Sequence, residues 1–544
     1  MEQTIIAAAI GDCVHVTGVL NFLKLAEAQG YRTIFLGPAV PVEKLAGAAK
    51  ETGAQTIAVG YRLGRRAAAG LFEALHQSLA RHGLLERRLV FGGTPTVAEV
   101  AVATGLFDRV FSGREAVEDI VDYLRGTSRG KTERQYAGTL VERLQQQAPR
   151  PLIRHHFGLP SLEETVQGIE HIAGSGEVDI ISIGPDQNAQ EHFFEPEEMD
   201  PLQDGAGGVP VRSTADFDRI YQASRRGNYP LLRCYSGTRR VLDMARVLYQ
   251  HLHNAWAAVP LFWYNQMDGR SERPLPEAIR ENQEAMAWHG QRGIPVEVNE
   301  AHHWSLRGAH DTVAVAAAFL AAYNAKQAGV RHYIAQFMLN TPPGTSIPMD
   351  MAKMLAKQDL IESLAGPKFQ VYRQVRAGLA SFPPDLDLAK GHLASSTHVG
   401  MALRPHIVHV VAYCEAIHVA RPEDVVASCR IARGAIANCL GGVPEVARDA
   451  VVRRRRQELL DDARFLLDHM VALAPPGTAD PWADVETLVT AVKAGVLDAP
   501  QLRGNPVARG SLQTQLVDGA CRAVDPVTGG ALSEPGRLRP ALSA

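Results

Sequence analysis

Gly11-Asp12-Cys13-Val14-His15-Val16-Thr17-Gly18 lies between an apolar run, TIIAAAI (4–10), and an amphipathic stretch, VLNFLKLAEAQGY (19–31). The run reads as a buried strand and the stretch as a helix with one apolar side. Further along, RTIFLG, TIAVGY and RLVFGG read as strands, separated by helical VEKLAGAAKETGA and a longer helix through Leu75 and Leu79. FDRVFSG and AVEDIVDYLRG complete the unit. Strands alternating with helices of this length form βαβ units, and right-handed crossovers make the sheet parallel. Residues 1–126 are therefore expected to form an α/β, doubly wound (Rossmann- or flavodoxin-like) domain. Ligands of such sheets sit outside the carboxyl ends of the strands, so the loop at 11–18 is the candidate site.

His15 gives that loop its chemistry, because neutral imidazole is the commonest protein ligand for a metal. Asp12, three residues earlier, supplies a carboxylate of the kind that orients a ligating ring from behind. By itself, a histidine in a loop more often has a solvated or structural role.

Bulk properties narrow the class. At 544 residues the chain is long enough for two or three domains. Its 46% apolar and 21% charged residues are ordinary for a globular protein. A net charge of −3, from 56 basic and 59 acidic side chains, excludes a strongly basic nucleic-acid surface or an acidic tail. Apolar stretches are interrupted by Gly, His or charge before reaching bilayer length, and MEQTIIAAAIGD lacks the basic start of a signal peptide. The six cysteines have no paired spacing, which argues for a reducing compartment and against zinc. The expectation is a cytoplasmic, multidomain enzyme.

Residues 127–150 are polar and read as a helical or flexible linker. Beyond it, LIRHHF, DIISIG, PLLRCY, VPLFWYN, VEVNEA, HYIAQF, HLASSTHV and VHVVAYC are eight candidate strands, expected to close a (β/α)8 TIM barrel over 151–440. Arg154, Asp186, Arg233, Tyr264, Asn265, Glu300 and Gln336 fall at or just past apolar runs, where barrel enzymes place functional groups. Residues 441–544 are expected to be a helical extension and tail: the arginines of VVRRRRQELLDDARFLLDHM read as a solvated or subunit-contact face, and DPVTGGALSEPGRLRPALSA as loosely ordered. Histidine-rich HHFG, EHFF and HHW lack the spacing of a catalytic zinc motif.

Two resemblances sharpen this picture. The first domain resembles the cobalamin-binding domain of B12 mutases and methionine synthase, which carries Asp-x-His-x-x-Gly after its first strand. His15-Val16-Thr17-Gly18 matches the second half of that motif, Gly37 the second turn, and Gly92-Gly93 the last element. Cys13 stands at the family's Asp, leaving Asp12 one place early, and Gly60-Tyr61-Arg62 stands where the family has a serine motif. The resemblance implies that His15 is the lower ligand of cobalt, with Asp12, Gly18, Gly37, Gly60, Gly92 and Gly93 around the cofactor.

Most of 151–525 resembles the catalytic subunit of glutamate mutase (methylaspartate mutase), through PLLRCYSGTRRVLDMARVL, FWYNQMDGR, HGQRGIPVEVNE, LVTAVKAGVLDAP and VARG. Three arginines clasp the substrate carboxylates in that family. Arg154 and Arg233 match the first and third, Gln190 falls at the second, and Tyr264 matches a substrate-contacting tyrosine. The family's amine-binding glutamate falls near Ala258, and Arg421 lies close to a lysine that approaches the adenosyl ribose. The resemblance implies an adenosylcobalamin-dependent radical mutase acting on a small carboxylic or amino acid other than glutamate, with its B12 domain fused in the same chain, and a homodimer by analogy. A corrinoid methyltransferase, a non-catalytic cobalamin carrier or sensor, and a pyridoxal-phosphate aminomutase are the alternatives.

Overall fold

In the computed structural model, residues 3–115, 117–127 and 136–539 are described. The chain divides into two compact units between Gln135 and Tyr136.

The first unit is a sheet of five parallel strands, β1 (Thr4–Ala9), β2 (Arg32–Phe35), β3 (Thr56–Tyr61), β4 (Arg88–Gly93) and β5 (Arg109–Phe111), in the order β2-β1-β3-β4-β5. Side chains alternate across a strand. Ile5 and Ala7 of β1 accordingly pack with Val19, Phe22 and Leu23 of α1 (Thr17–Ala28). Ile6 and Ala8 face the other way, in the cluster with Leu45 of α2 (Val42–Thr52), Phe72 of α3 (Arg65–His82) and Val97 of α4 (Pro95–Thr104). The final helix, α5 (Val117–Thr127), returns to the α1 side, where Leu124 is buried and its carbonyl accepts from the Tyr31 hydroxyl at 2.8 Å. Helices thus cover both faces of a sheet whose strand order has its switch point beside β1, at the 11–18 loop.

The second unit is built on eight parallel strands: β6 (Leu152–Phe157), β7 (Ile180–Ile183), β8 (Leu231–Cys234), β9 (Ala257–Val259), β10 (Val296–Val298), β11 (His332–Leu339), β12 (Gln370–Ala377) and β13 (Ile407–Val410). Their order is β8-β7-β6-β13-β12-β11-β10-β9, a nearly closed barrel. At the seam between β8 and β9 the Ala255 N–H donates to the Leu232 carbonyl at 2.8 Å. Leu152, Ile180, Leu231, Ile334 and Ile407 plug the amino end of the barrel together with Trp256. Below them α6 (Leu140–Gln147) adds Leu140 and Leu144, and Thr139 caps that helix by accepting from the Glu142 N–H. The expected linker is therefore partly this plug, while 128–135 lie outside the described residues.

VPLFWYN (259–265) meets β9 only at Val259, and six others of the eight expected barrel strands coincide with observed ones. HLASSTHV does not: it belongs to a helix, Leu386–Gly400, capped by the Asp385 carboxylate, which accepts from the Asp387 and Leu388 N–H groups. Its buried Ala389, Leu393, Thr397 and Gly400 recur at three or four residues, the helical period. The eighth strand is QVYRQVRA, β12, whose inward Gln374 and Arg376 interrupt any apolar run.

The carboxyl-terminal region is also more ordered than expected. It holds a 23-residue helix, Ala450–Ala472, and an antiparallel hairpin, β14 (Thr514–Val517) with β15 (Ala520–Ala523). One of its arginines is internal, Arg455, which meets Asp311 at 3.1 Å, and half-buried Arg456 meets Asp359 at 2.5 Å. The tail is pinned through buried Glu534, which pairs with His310 at 2.9 Å and with Arg537 at 2.5 Å. Among the described residues, no helix is long and apolar enough to cross a membrane.

Candidate functional sites

At the carboxyl edge of the first sheet, strand register brings the predicted glycines together. Gly60 lies opposite Gly92, and Tyr61 opposite Gly93. The Ile10 N–H donates to the Gly60 carbonyl, and the Ala9 N–H to the Gly37 carbonyl. Gly37 has φ +116°, a conformation that excludes most side chains. Gly60 is required for another reason: a Cβ there would lie 2.4 Å from Val19 Cγ2 of α1. Beside Gly18 and Gly92, in contrast, there is open space for a Cβ.

Cys13 is fully buried and anchors the loop, while His15 is exposed at its crest. The His15 Nδ1 lies 3.9 Å from Cys13 Sγ, so the residue in place of the family's Asp is also the one that reaches the ring. Asp12 points elsewhere: after burial itself, its charge and hydrogen bond are what push the Tyr61 phenol up. His15 thus has an accessible ring and a sulfur behind it, which suits an imidazole ligand. Helix α1, however, rests directly on the sheet where a nucleotide tail between them would run.

In the barrel, Arg154 of β6 and Arg233 of β8 point inward above the apolar plug and are 1% and 0% exposed. Their surroundings differ. Arg154 is fully engaged: Nε donates to Ser182 Oγ at 2.7 Å, and Nη1 to Gln374 Oε1 at 2.7 Å and to Glu297 Oε2 at 3.2 Å. Its Nη2 meets His156 Nε2 at 3.1 Å. Arg233 has one such partner, Glu297 Oε2 at 3.3 Å from Nη2, leaving Nε and Nη1 buried without a hydrogen bond. Glu297 Oε2 also accepts from Trp256 Nε1 at 2.8 Å, and Oε1 has no partner. Burial opposes its charge, but Arg154 and Arg233 prevail and hold the carboxyl at about 2.

Ala258, where the amine-binding glutamate was expected, pairs in register with Glu297 of the adjacent strand. The barrel therefore keeps a carboxylate next to the expected place. Gln190 does not join the arginines, since its side-chain amide donates to the Pro185 carbonyl at 2.8 Å. Tyr264 is buried in a left-handed turn (φ +69°), its hydroxyl 3.4 Å from His303 Nε2, and burial pushes its phenol up. Arg421 caps the helix Pro422–Cys439, its N–H donating to Asp424 Oδ2 at 3.0 Å. Of the other polar strand ends, Asp186 pairs with Arg212 at 2.5 Å, while Glu300 braces the loop after β9 through the N–H groups of Leu261 and Phe262.

Sequence reasoning missed Arg376, because it lies on the strand that was misplaced. Arg376 is 9% exposed, and its Nε donates to the Ala377 carbonyl at 3.3 Å. Burial lowers its affinity for the proton, Tyr235, Glu415 and Glu297 oppose that, and Arg233 adds to it. His156 stacks on Tyr235 at 5.4 Å and lies 4.8 Å from His409. Burial followed by neighbouring arginines holds His156 and His409 well below the usual imidazole range, so both are neutral. Three buried guanidiniums thus share this interior with the Glu297 carboxylate and no cationic imidazole at these two positions. The alternation of polar Gln374 and Arg376 with Val375 and Ala377 was the signal that could have revealed β12.

The expected lack of cysteine ligand groupings needs correction: Cys414 lies with His418 and Asp424, and Cys439 Sγ is 3.2 Å from His398 Nδ1. All six cysteines are free and buried.

No protein-family model matches the chain, and no curated protein does. Among solved structures, a cobalamin-binding protein from Desulfitobacterium hafniense DCB-2 aligns over 23% of this chain and 59% of its own, at 23% identity and TM-score 0.21. The cobalamin-dependent S-adenosylmethionine radical enzyme OxsB aligns over 89% of this chain and 63% of its own, at 10% identity and TM-score 0.18. The alignments span less than two thirds of either neighbour, and similarity this low says nothing about the activity of this chain.

Proposed function

We propose that the chain is an adenosylcobalamin-dependent carbon-skeleton mutase whose barrel binds a small amino acid. The observation that carries the substrate half is the pair of unmet needs in the barrel interior: Arg233 has two donors without acceptors, and Glu297 Oε1 has no donor. Buried polar groups are normally paired, and a charged group left unpaired is costly. A carboxylate at Arg233 and an ammonium at Glu297 would satisfy both. The excess of guanidinium over carboxylate favours a ligand with a net negative charge, and Arg376 offers a second cation where Gln190 does not.

For the cofactor half, His15 is exposed at the switch point, as a lower ligand to cobalt needs, and Cys13 Sγ lies 3.9 Å from its Nδ1. Glycines 60, 92 and 93 keep side chains off the adjoining edge. Adenosylcobalamin, when bound, supplies a weak cobalt–carbon bond as the source of a radical. The residues of this chain orient the substrate, with Arg154 fixing Glu297 and Glu297 in turn setting the pose of Arg233. Trp256 and the apolar plug keep water from the amino end of the barrel.

Ultraviolet–visible titration of the full chain with adenosylcobalamin and with methylcobalamin tests the cofactor half. The expected result is tight binding with a histidine-ligated spectrum that His15→Ala abolishes, and a preference for the adenosyl form. Absence of binding by either form would sink the reading, and a methyl preference would transfer it to methyl transfer. For the substrate half, a panel of amino acids and their hydroxy and deaminated analogues is offered to the loaded enzyme. Amino acids should turn over and the analogues should not; equal turnover of both would remove Glu297 as an ammonium partner.

A further inference from the structure

Cys414, His418 and Asp424 lie just past the carboxyl end of β13, on a loop and helix start that the reading above does not use beyond Arg421. The local chain explains why they converge. The N–H groups of Ile417 and His418 both donate to the Cys414 carbonyl, at 2.8 and 3.1 Å, making a single helical turn. Residues four apart on such a turn share a side, so Cys414 and His418 face the same way. Asp424, in the first turn of Pro422–Cys439, folds back toward them. One ligand atom from each residue lies within 4.8 Å of the other two, and His418 Nδ1 is 3.8 Å from Asp424 Oδ2.

We propose that these three side chains form a binding site for a zinc-class divalent cation. Thiolate, imidazole and carboxylate are the donor types of zinc, and three protein ligands with an open fourth position make a reactive rather than a closed structural centre. On binding, the metal–sulfur bond forms as the Cys414 thiol proton leaves to solvent. One thiolate and one carboxylate then balance the dication. Tetrahedral zinc needs its ligands about 3.5 Å apart, so the cluster must contract. His418 is the side chain that can do so, being 43% exposed, while Cys414 is buried. Its ring is held by the Val419 carbonyl at 3.0 Å from Nδ1, a bond that yields to the metal or to a turn of the ring. Asp424 is supported from behind: the Tyr413 hydroxyl donates to Oδ1 at 2.8 Å and the Arg421 N–H to Oδ2 at 3.0 Å. Such outer partners orient ligating carboxylates. The exposed edge of His418 puts the open position on the solvent side, where a water or an anionic sulfur or oxygen ligand can enter.

The competing role is helix capping alone, and variants separate the two. Untagged full-length chain, prepared without corrinoid, is equilibrated with zinc, desalted and measured by elemental analysis. It is also titrated with cobalt(II) to look for a sulfur-to-metal charge-transfer band. The wild type should retain about one zinc per chain, and Cys414→Ser should lose both the metal and the band. His418→Ala should weaken zinc binding by roughly tenfold or more. Asp424→Asn can still cap the helix, so it should lose affinity with its melting temperature unchanged. No zinc retained by the folded wild type, or equal retention by a Cys414→Ser, His418→Ala double variant, would overturn the site.

Discussion

Arg154 and Arg233 carry the same charge into the same layer of the barrel, yet only one of them is satisfied there. Arg154 holds Ser182, Gln374, Glu297 and His156, so its removal takes the donor from Gln374 Oε1 and one of two guanidiniums from buried Glu297. Breaking a buried pair costs about 3–5 kcal/mol, and Arg154→Ala should therefore lower the urea midpoint of the barrel severely. Arg233→Ala removes a cation with a single long hydrogen bond, a place over the Tyr235 ring at 4.4 Å and two unpartnered donors, so its stability should change less than that of Arg154→Ala. Its cost should fall instead on the substrate, with kcat/KM lower by about a hundredfold or more, the size expected when a charged hydrogen bond is lost. Midpoints and kinetics measured on both variants check the division; a stability loss at Arg233 as large as at Arg154 would mean that both are scaffold. Glu297 belongs to the same argument, since one oxygen fixes the arginines and the other is free.

For the elements, the decisive contact is that of α1 with β3. Val19 sits so close to Gly60 that an added Cβ would be 2.4 Å from its Cγ2, and a β-branched side chain has little freedom to turn away. Gly60→Ala is expected to cost about 1–3 kcal/mol by overpacking. The same change in a Val19→Ala background should cost markedly less, because the obstructing methyl is gone. A urea-melt double-mutant cycle measures that coupling; additive effects would mean that the helix is not seated on the strand. Function follows from the same contact, since any ligand tail lying between α1 and the sheet has to lift Val19 first. Elements also explain which parts of the site were hidden. Strand β12 was missed because its inward face is Gln374 and Arg376, and a strand that carries polar site residues into a barrel loses the apolar signature of a strand.

At the scale of the whole molecule, the second unit stores a set of neutral histidines. Burial lowers His155 to about 4 and His302 to about 3, and holds His156, His303 and His409 well below their ordinary 6.5. The unfolded chain protonates these groups near 6.5 and the folded chain does not, so stability is full above that value and falls as the pH drops through it. One unit below, each histidine contributes roughly 1.4 kcal/mol of destabilisation. The urea midpoint of the barrel should drop clearly between about pH 7.5 and about pH 5.5, because the five histidines together outweigh Glu300, whose carboxyl is pushed up by burial to about 8 and runs the other way. Equal midpoints would mean that the imidazoles are solvated or charged in the folded state. Glu297, held at about 2, adds a second phase with the same sign, its contribution present above the usual carboxylate range and lost in stronger acid.

From sequence alone came the α/β alternation, the five strands of the first sheet, six of the eight barrel strands with the edge of a seventh, and Arg154, Arg233 and Tyr264 at or just past their ends. These were legible because they depend on periodicity along the chain, and a strand or a helix advertises its buried face in its own few residues. The tertiary structure decided the partners. Glu297 beside Ala258, Cys13 rather than Asp12 behind His15, Gln190 turned to its own loop, and Cys414 gathered with His418 and Asp424 all depend on register, on the closure of the barrel and on the course of single loops. Such contacts join residues that local pattern treats as independent. Charge balance in the barrel is likewise a sum over several strands, so the unpaired donors of Arg233 exist only once the sheet has curled round on itself.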